Sequence, residues 1–369
     1  AIVGMGLVDY GTQTALIMAL GMIVNILIAR YTKLKYIFLT GHHSFFMACL
    51  LSAVLQTAGF EGATLIAIGG AFLGLISAIL PAIGQKYTLK VTDGDEVAMG
   101  HFGSLAYYVS AWIGGKVGNP ENSTEKMEIP EKWSFLRDTT ISTALTMMVF
   151  YLIAAVAAGS EFVATLSGGQ NMILFALMSA MKFAVGVTIV YAGVRMILGD
   201  LLPAFQGIAT KIIPDAIPAV DCAVFFTYAP TAVVIGFVAS FIGGVIGMLL
   251  LGVVGGVLII PGLVPHFFCG ATAGIYGNST GGKRGAAIGA FINGLLITFI
   301  PALLLPVLGD LGFQNTTFGD FDFGIIGIAI GKLYEFLGSM GVVILLAVLI
   351  IAVLLPSFIN IKSKVINNL

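Results

Sequence analysis

The chain has 369 residues, of which 9% are charged and 58% are hydrophobic, and its mean hydropathy is +1.04. Soluble domains carry about 25% charged residues, so this composition excludes an ordinary soluble protein and predicts that lipid covers much of the surface. The formal net charge of −1 says nothing about nucleic acid, and the chain has no basic cluster of the kind that nucleic-acid binding needs.

Long apolar runs without strand-like alternation predict an all-α polytopic membrane protein. The predicted spans, in chain order, cover residues 12–29, 36–60, 62–83, a segment ending near 112, 139–158, 171–198, 285–309 and a last span within 340–359. An amphipathic segment is predicted at 200–213. Residues 222–282 contain no Asp, Glu, Lys or Arg, and these 61 residues are enough for about three crossings at about 20 residues each.

Charged residues concentrate at the ends of these spans and predict an orientation. The three basic ends are Arg30–Lys35, residues 116–137 and the Lys362/Lys364 tail. Because loops rich in Lys and Arg stay in the cytoplasm, these ends, and with them the C-terminus, are expected on the cytoplasmic side of the membrane. The segments expected outside are Glu61, Glu161 and an acidic loop at 310–322.

Short matches at an offset of 178–180 residues predict an internal repeat. The matched pairs are Phe45-Phe46 with Phe225-Phe226, Pro81 with Pro261, Thr92–Gly94 with Thr272–Gly274, and Thr32-Lys33 with Thr210-Lys211. A repeat with an odd number of spans is inverted relative to its copy, an architecture that in many transporters places the solute site where the copies meet.

The repeat also predicts how the chain is divided. The expected parts are a first inverted repeat at 1–137, a second at 138–330, and a terminal transmembrane helix with a cytoplasmic tail at 331–369. The spans at 139–158 and 171–198 have counterparts that fall mostly before Ala1, so the first repeat is expected to lack its N-terminal part. About two spans of the native protein would precede this sequence.

Ionisable residues within membrane spans are expensive and therefore mark functional sites. His42 interrupts the second span beside Gly41, and Asp221 is the only charge between Asp215 and Lys283. Position 42 plus the repeat offset falls at 222, so His42 and Asp221 are expected to converge on one cavity formed by discontinuous helices. A buried His–Asp pair that only joins two helices is the alternative.

Three other histidines and one polar stretch have less specific signals. The stretch Thr92–Glu96, followed by His101, predicts either a re-entrant hairpin or a solvated turn. His43 is expected to pack or to support His42, and His266 is expected at the membrane interface. No spacing typical of a metal site, nucleotide-binding loop or catalytic nucleophile occurs, so no cofactor is predicted.

The residues around these positions resemble a known family, the ascorbate-type membrane component (enzyme IIC) of the bacterial phosphoenolpyruvate-dependent phosphotransferase system. The resembling stretches are Leu39–His42, Val91–Gly94 with Gly100-His101, Ile213–Ala223, Tyr228–Val234, Leu258–Phe268 and Gly270–Gly274. The resemblance implies a homodimer built from two inverted five-helix repeats plus a terminal helix, with an elevator-like mobile core. It also implies enzymes IIA and IIB as partners, with the phosphoryl-donor residue on IIB.

The resemblance further implies that a sugar-like solute, L-ascorbate in the first place, binds to His42, His101 and Asp221. Thr92 belongs to the same expected site. In an ascorbate transporter of this family, glutamines that bind the solute correspond to Phe46 and Phe102, and a ring in place of an amide would favour a more apolar side of a solute. A proton- or sodium-coupled transporter of a small sugar or organic acid is the alternative function, with an intramembrane enzyme a remote third.

Overall fold

The computed structural model describes residues 11–128, 131–132, 139–309, 312 and 317–358. The helices are α1 (Gly11–Tyr31), α2 (Gly41–Thr57), α3 (Gly62–Val91), α4 (Ser104–Val117), α5 (Thr139–Ala158), α6 (Ser160–Ser167), α7 (Met172–Lys211), α8 (Cys222–Phe225), α9 (Pro230–Val253), α10 (Leu263–Leu304), α11 (Phe321–Leu337) and α12 (Ser339–Phe358). Three short strands accompany them: β1 (Tyr36–Phe38), β2 (Ala98–Met99) and β3 (Ile217–Val220).

Seven helical segments in the described ranges are long and apolar enough to cross a bilayer. These are Gly11–Tyr31, Gly62–Val91, Thr140–Ala158, Met172–Gly193, Pro230–Val253, Leu263–Val307 and Ser339–Ser357. Helices of this length satisfy their backbone hydrogen bonds internally, as hydrocarbon requires. The predicted class, an all-α polytopic membrane protein, is confirmed at this level.

The three strands form a small parallel sheet in the order β1-β3-β2, which the helical interpretation missed. Residues 36–38, read as part of a span, are the edge strand β1. The Asn25 side chain of α1 pairs with this edge, because its amide accepts from the Phe38 N–H and donates to the Tyr36 carbonyl. The Phe38 N–H and the Tyr36 carbonyl of this sheet edge are thereby hydrogen-bonded within the protein, as buried backbone groups must be.

Helix α10 is a helical hairpin with its turn at Gly282, where the backbone has a positive φ of 59°. A Cβ on Gly277 would lie 2.2 Å from the Gly285 carbonyl oxygen, whereas residues eight apart in a straight helix are about 12 Å apart. The arms 263–281 and 283–304 therefore run back along each other. The glycine-rich stretch Thr272–Gly282 forms the end of the first arm and the turn.

Several predicted boundaries were wrong. Helix α3 continues to Val91, and the predicted span 171–198 and amphipathic segment 200–213 form the single helix α7. The uncharged block 222–282 holds α8, α9 and one arm of α10 instead of three crossings. Helix α11 was not predicted, and a division of the chain at residue 330 falls inside it. Residues 129–130 and 133–138 of the predicted basic loop, and the Lys362/Lys364 tail, lie outside the described residues.

In two of the matched pairs, the two residues lie in different secondary-structure environments. Pro81 lies inside α3, whereas Pro261 precedes α10, and Thr92 follows α3, whereas Thr272 lies within α10. In the small sheet Tyr36 pairs with Ile217, 181 positions later, which is a hydrogen-bond register and not a repeat match.

Glycines bring α9 into direct backbone contact with both arms of the α10 hairpin, as small residues do between membrane helices. A Cβ on Gly236 would lie 2.4 Å from the Gly270 carbonyl oxygen, so Gly236→Ala must push the two backbones apart. We expect this variant to lower the melting temperature measured in detergent by several degrees, corresponding to about 1–3 kcal/mol.

The matched control is Gly186→Ala in α7, where a Cβ would meet nothing within 4 Å. It should leave the melting temperature unchanged or slightly raised, because alanine favours the helix. Equal melting temperatures for the two variants would contradict the close packing of α9 on α10.

Candidate functional site

A cavity of about 650 Å³ lies where the three strands end. Its lining comes from α2, the segment before α4, the β3–α8 junction, one residue of α7, the start of α10 and the start of α11. The lining residues are His42, His43, Phe46, His101, Val190, Asp221, Cys222, Ala223, Val264, Pro265, Phe268, Thr317, Phe318, Gly319, Asp320 and Phe323. Most of the wall is apolar, and a few polar groups converge on it, as is typical of small-molecule sites.

The parallel sheet explains why three distant residues meet here. His42 follows β1, His101 follows β2 and Asp221 follows β3 directly. Because the carboxyl ends of parallel strands lie at the same edge of a sheet, ligands commonly bind there. A Cβ on Gly100 would lie 2.3 Å from the Ala219 carbonyl oxygen, so glycine is needed for β2 to approach β3.

Asp221 is the centre of the polar cluster. One of its oxygens, Oδ1, accepts from the Cys222 N–H at 2.6 Å and thereby caps the short helix α8. The Nε2 atom of His42 lies 3.6 Å from Oδ2, and that of His101 lies 4.0 Å from Oδ1. These separations are too long for direct hydrogen bonds but fit a hydroxyl group or water between the partners.

His101 is held in one orientation and one tautomer. The Gly103 N–H donates to its Nδ1 at 3.1 Å, which makes Nδ1 the acceptor. The Tyr107 hydroxyl is also 3.0 Å from this atom. The proton of the neutral ring is therefore on Nε2, which faces Asp221. The side chain can donate one hydrogen bond into the cavity.

His43 has the same arrangement. The Phe102 N–H donates to its Nδ1 at 3.3 Å, so Nε2 carries the proton and lies 3.8 Å from Oδ2 of Asp320. The ring is buried, its centroid is 3.7 Å from that of His101, and it stacks on Phe323. The predicted packing role of His43 therefore agrees with its position, although the ring also lines the cavity.

Asp320 is a second carboxylate in the cavity, and the sequence reasoning missed it. It was assigned to an acidic outside loop at 310–322, yet it immediately precedes α11 and lines the cavity. The Cys269 thiol donates to its Oδ1 at 3.0 Å. An acidic residue directly before a 17-residue apolar helix was the signal that could have found it.

Asp322, in the same predicted loop, is fully buried and forms a tie between two helices. The Ser104 hydroxyl donates to its Oδ2 at 2.8 Å and the Leu105 N–H to its Oδ1 at 3.1 Å, so Asp322 satisfies the first turn of α4. Its own N–H donates to the Phe102 carbonyl. This contact fixes the start of α11, and hence Asp320, beside His101.

The other predicted site residues have different positions. Phe46 is one helical turn after His42 and lines the cavity. Phe102 is fully buried and stacks on Phe38, and it is not among the lining residues. Thr92 is buried after α3 with its hydroxyl towards the Asp95 carbonyl, also away from the lining.

The interfacial position expected for His266 was wrong. Its side chain is buried between α9 and α10, with Nδ1 2.9 Å from the Ser240 hydroxyl oxygen. The hairpin arm that carries it packs on α9, which removes it from any surface.

The same cavity also contains every group of possible metal ligands found among the described residues. His42, His43 and Asp221 form one group, and His43, His101 and Asp320 form another, with ligand atoms within 4.8 Å of one another. Neutral imidazole and carboxylate are also the groups that bind the hydroxyls of a polyol. The arrangement therefore offers two acceptors and several donors to a compact polar solute.

A multi-pass helical membrane protein with a largely apolar cavity on which a few polar side chains converge has the architecture expected of a solute permease. The family model described as the PTS system sugar-specific permease component (EIIC-GAT) matches residues 1–322. The chain therefore belongs to this family of phosphotransferase-system permeases, as the sequence resemblance predicted.

A curated relative shows the same relationship. The chain is 27% identical over 350 residues to the "Ascorbate-specific PTS system EIIC component" of Mycoplasma pneumoniae. The match covers 82% of this chain and 52% of that protein, so the chain spans about half the length of the curated relative it matches.

Proposed function

We propose that this protein binds a sugar-like solute in the cavity at the ends of the three strands and moves it across the membrane. L-ascorbate is the first candidate for this solute. The convergence of His42, His101 and Asp221 carries the proposal. Family membership and the name of the Mycoplasma relative favour ascorbate. The ascorbate anion keeps hydroxyl groups that can donate to a carboxylate, and its enediolate and carbonyl oxygens can accept from the Nε2–H groups of His43 and His101.

Phe46 defines one side of the proposed site. Its ring lines the cavity next to His42 and supplies an apolar face where an amide would supply hydrogen bonds. We propose that the solute turns its less polar face, the carbon side of a sugar ring or lactone, towards Phe46. Phe102 would then act through packing behind His43, since its backbone N–H holds that ring.

Asp320 is proposed as a further solute contact opposite Asp221. We expect Asp320→Asn to weaken ascorbate binding about tenfold, because a charged acceptor adds about 1.5 kcal/mol or more to a hydrogen bond. Isothermal titration of the purified protein measures the change. Glu61→Gln, an exposed acidic residue before α3, is the matched control and should bind as the wild type does. Unchanged affinity in Asp320→Asn would remove Asp320 from the site.

We propose that the protein is oriented with Arg30–Lys35 and Lys116 in the cytoplasm, and that enzymes IIA and IIB act there. The loop charges support this orientation. In this scheme the phosphoryl group comes from IIB, and the present chain supplies binding, orientation and access. Its histidines hold the hydroxyls of the solute while the partner transfers the phosphoryl group.

We further propose an elevator-type movement and a homodimer of inverted repeats. Among the described residues of α5–α7, only Val190 lines the cavity. The other lining residues come from α2, the segment before α4, the β3–α8 junction, α10 and the start of α11, and in this scheme these elements together carry the solute past α5 and α7. The sequence matches at an offset of 178–180 residues support the repeat.

The source of energy tests the proposal against an ion-coupled carrier. Proteoliposomes containing this permease in its native length should accumulate radiolabelled ascorbate only with phosphoenolpyruvate and the soluble phosphocarriers, and the internal product should be phosphorylated. An uncoupler should have no effect. Accumulation of unmodified ascorbate that an uncoupler abolishes would support a proton-coupled carrier instead.

A further inference from the structure

A second depression, of about 540 Å³, lies at the tip of the α10 hairpin, away from the solute cavity. Its lining residues are Lys116, Val117, Gly118, Asn119, Asn122, Gly281, Lys283 and Arg284. The two depressions share no lining residue. Phe268 and Gly281 are on the same hairpin arm, 13 residues or about 20 Å apart, so these are separate sites.

Glycine-mediated backbone contacts build the floor of this depression. A Cβ on Gly118 would lie 1.9 Å from the Gly281 carbonyl oxygen, and one on Gly282 would lie 2.4 Å from the carbonyl oxygens of Asn119 and Asn122. The end of α4, the following turn and the hairpin tip are therefore in direct contact. Thr280 adds a hydrogen bond of 2.6 Å to the Ala111 carbonyl. The shape of this depression is therefore set by packed backbone segments.

Among the described residues, three cationic side chains and no carboxylate line this depression. Lys116, Lys283 and Arg284 are all exposed at its rim, and none of them forms an ion pair with an acidic residue in the described ranges. The oxygen of the Asn119 amide accepts from the Glu121 N–H, so the group that this side chain can offer to a ligand is its NH₂ donor. The depression therefore offers both positive charge and hydrogen-bond donors to a ligand.

We propose that this depression binds a phosphate group. An arginine fork and two ammonium groups around one concave surface match the tetrahedral oxygens and the charge of a phosphate ester. The phosphate belongs either to the headgroup of an anionic phospholipid or to a soluble phosphate ester, and the recognition chemistry is the same for both. The inference is independent of the solute proposed above.

Two measurements on the purified protein test the site and separate the two sources. Native mass spectrometry from mixed micelles compares the retention of phosphatidylglycerol with that of phosphatidylcholine. Isothermal titration with inorganic phosphate measures binding of the soluble group. Lipid retention without phosphate affinity identifies a headgroup site, and phosphate affinity identifies a site for a soluble ester.

The test variant is Lys116→Gln/Lys283→Gln/Arg284→Gln. Its control, Lys86→Gln/Lys90→Gln/Lys211→Gln, removes the same number of charges from exposed positions elsewhere. We expect at least about a tenfold loss of phosphatidylglycerol retention or phosphate affinity in the first variant only. The milder Arg284→Lys should cause a severalfold loss, because it keeps the charge and loses the fork. Equal binding by test and control variants, or no binding by the wild type in either measurement, would overturn the proposal.

Discussion

Replacing Asp221 with asparagine is expected to weaken ascorbate binding about 100-fold while the protein stays folded. Asp221 lies between His42 and His101 at the end of β3, and its carboxylate faces the Nε2 atoms of both rings. A charge-assisted hydrogen bond is worth about 1.5–3 kcal/mol, and about 2.7 kcal/mol corresponds to 100-fold in affinity. Asparagine keeps one carbonyl oxygen, so the cap on the Cys222 N–H is retained.

Isothermal titration against the wild type measures this loss. Asp215→Asn, the same chemical change at an exposed position just before β3, is the matched control and should bind normally. His42→Ala should also lose binding with the fold intact. Wild-type affinity in Asp221→Asn, together with a normal elution profile, would refute the assignment of the site.

The second large effect is on stability. Asp322→Ala is expected to destabilise the protein by about 2–5 kcal/mol, because it leaves the Ser104 hydroxyl and the Leu105 N–H buried without their acceptor. The carboxylate is fully buried, so water cannot replace it without opening the contact between α4 and α11. The melting temperature in detergent should fall by many degrees, and ascorbate affinity should fall with it as His101 and Asp320 lose their fixed separation.

Two further variants show whether the loss of stability comes from the hydrogen bonds of Asp322. Asp322→Asn should be intermediate, because its amide oxygen can still accept one of the two hydrogen bonds. Glu335→Ala, an exposed acidic residue on the same helix α11, should leave the melting temperature unchanged. A melting temperature for Asp322→Ala within a degree of the wild type would contradict the proposed tie.

The sequence was sufficient to predict the membrane class and to single out three polar residues that line one cavity in the structure. Continuous apolar runs report directly on the lipid environment, and rare ionisable groups within them report on function. His42 and Asp221 were identifiable because few charges occur in the runs around them, whereas His101 was assigned to the site through the family resemblance.

What brings these residues together could not be read from the sequence. Strands of two to four residues have no periodicity to detect, and β1 and β3 are 181 positions apart in their pairing. The fold-back at Gly282 also left no distinctive signal, because Gly281-Gly282 is one of several glycine-rich places in a chain with 48 glycines. Only the packing of the arms identifies the turn.

Asp320 and Asp322 show a different limit. In a charge count they resemble an acidic outside loop, and the positive-inside rule does not read acidic residues well. Their positions at the start of α11 make one a cavity residue and the other a buried cap. Charge patterning alone cannot distinguish a solvated loop from acidic residues that enter a membrane protein at a helix start.

The most direct test of the account is a cryo-EM structure of the protein with saturating ascorbate. We expect density for the solute in the cavity, with hydroxyls within about 3 Å of the Asp221 carboxylate and of the His101 Nε2 atom. Ascorbate bound at another place, or an empty cavity while titration shows that ascorbate is bound, would contradict it.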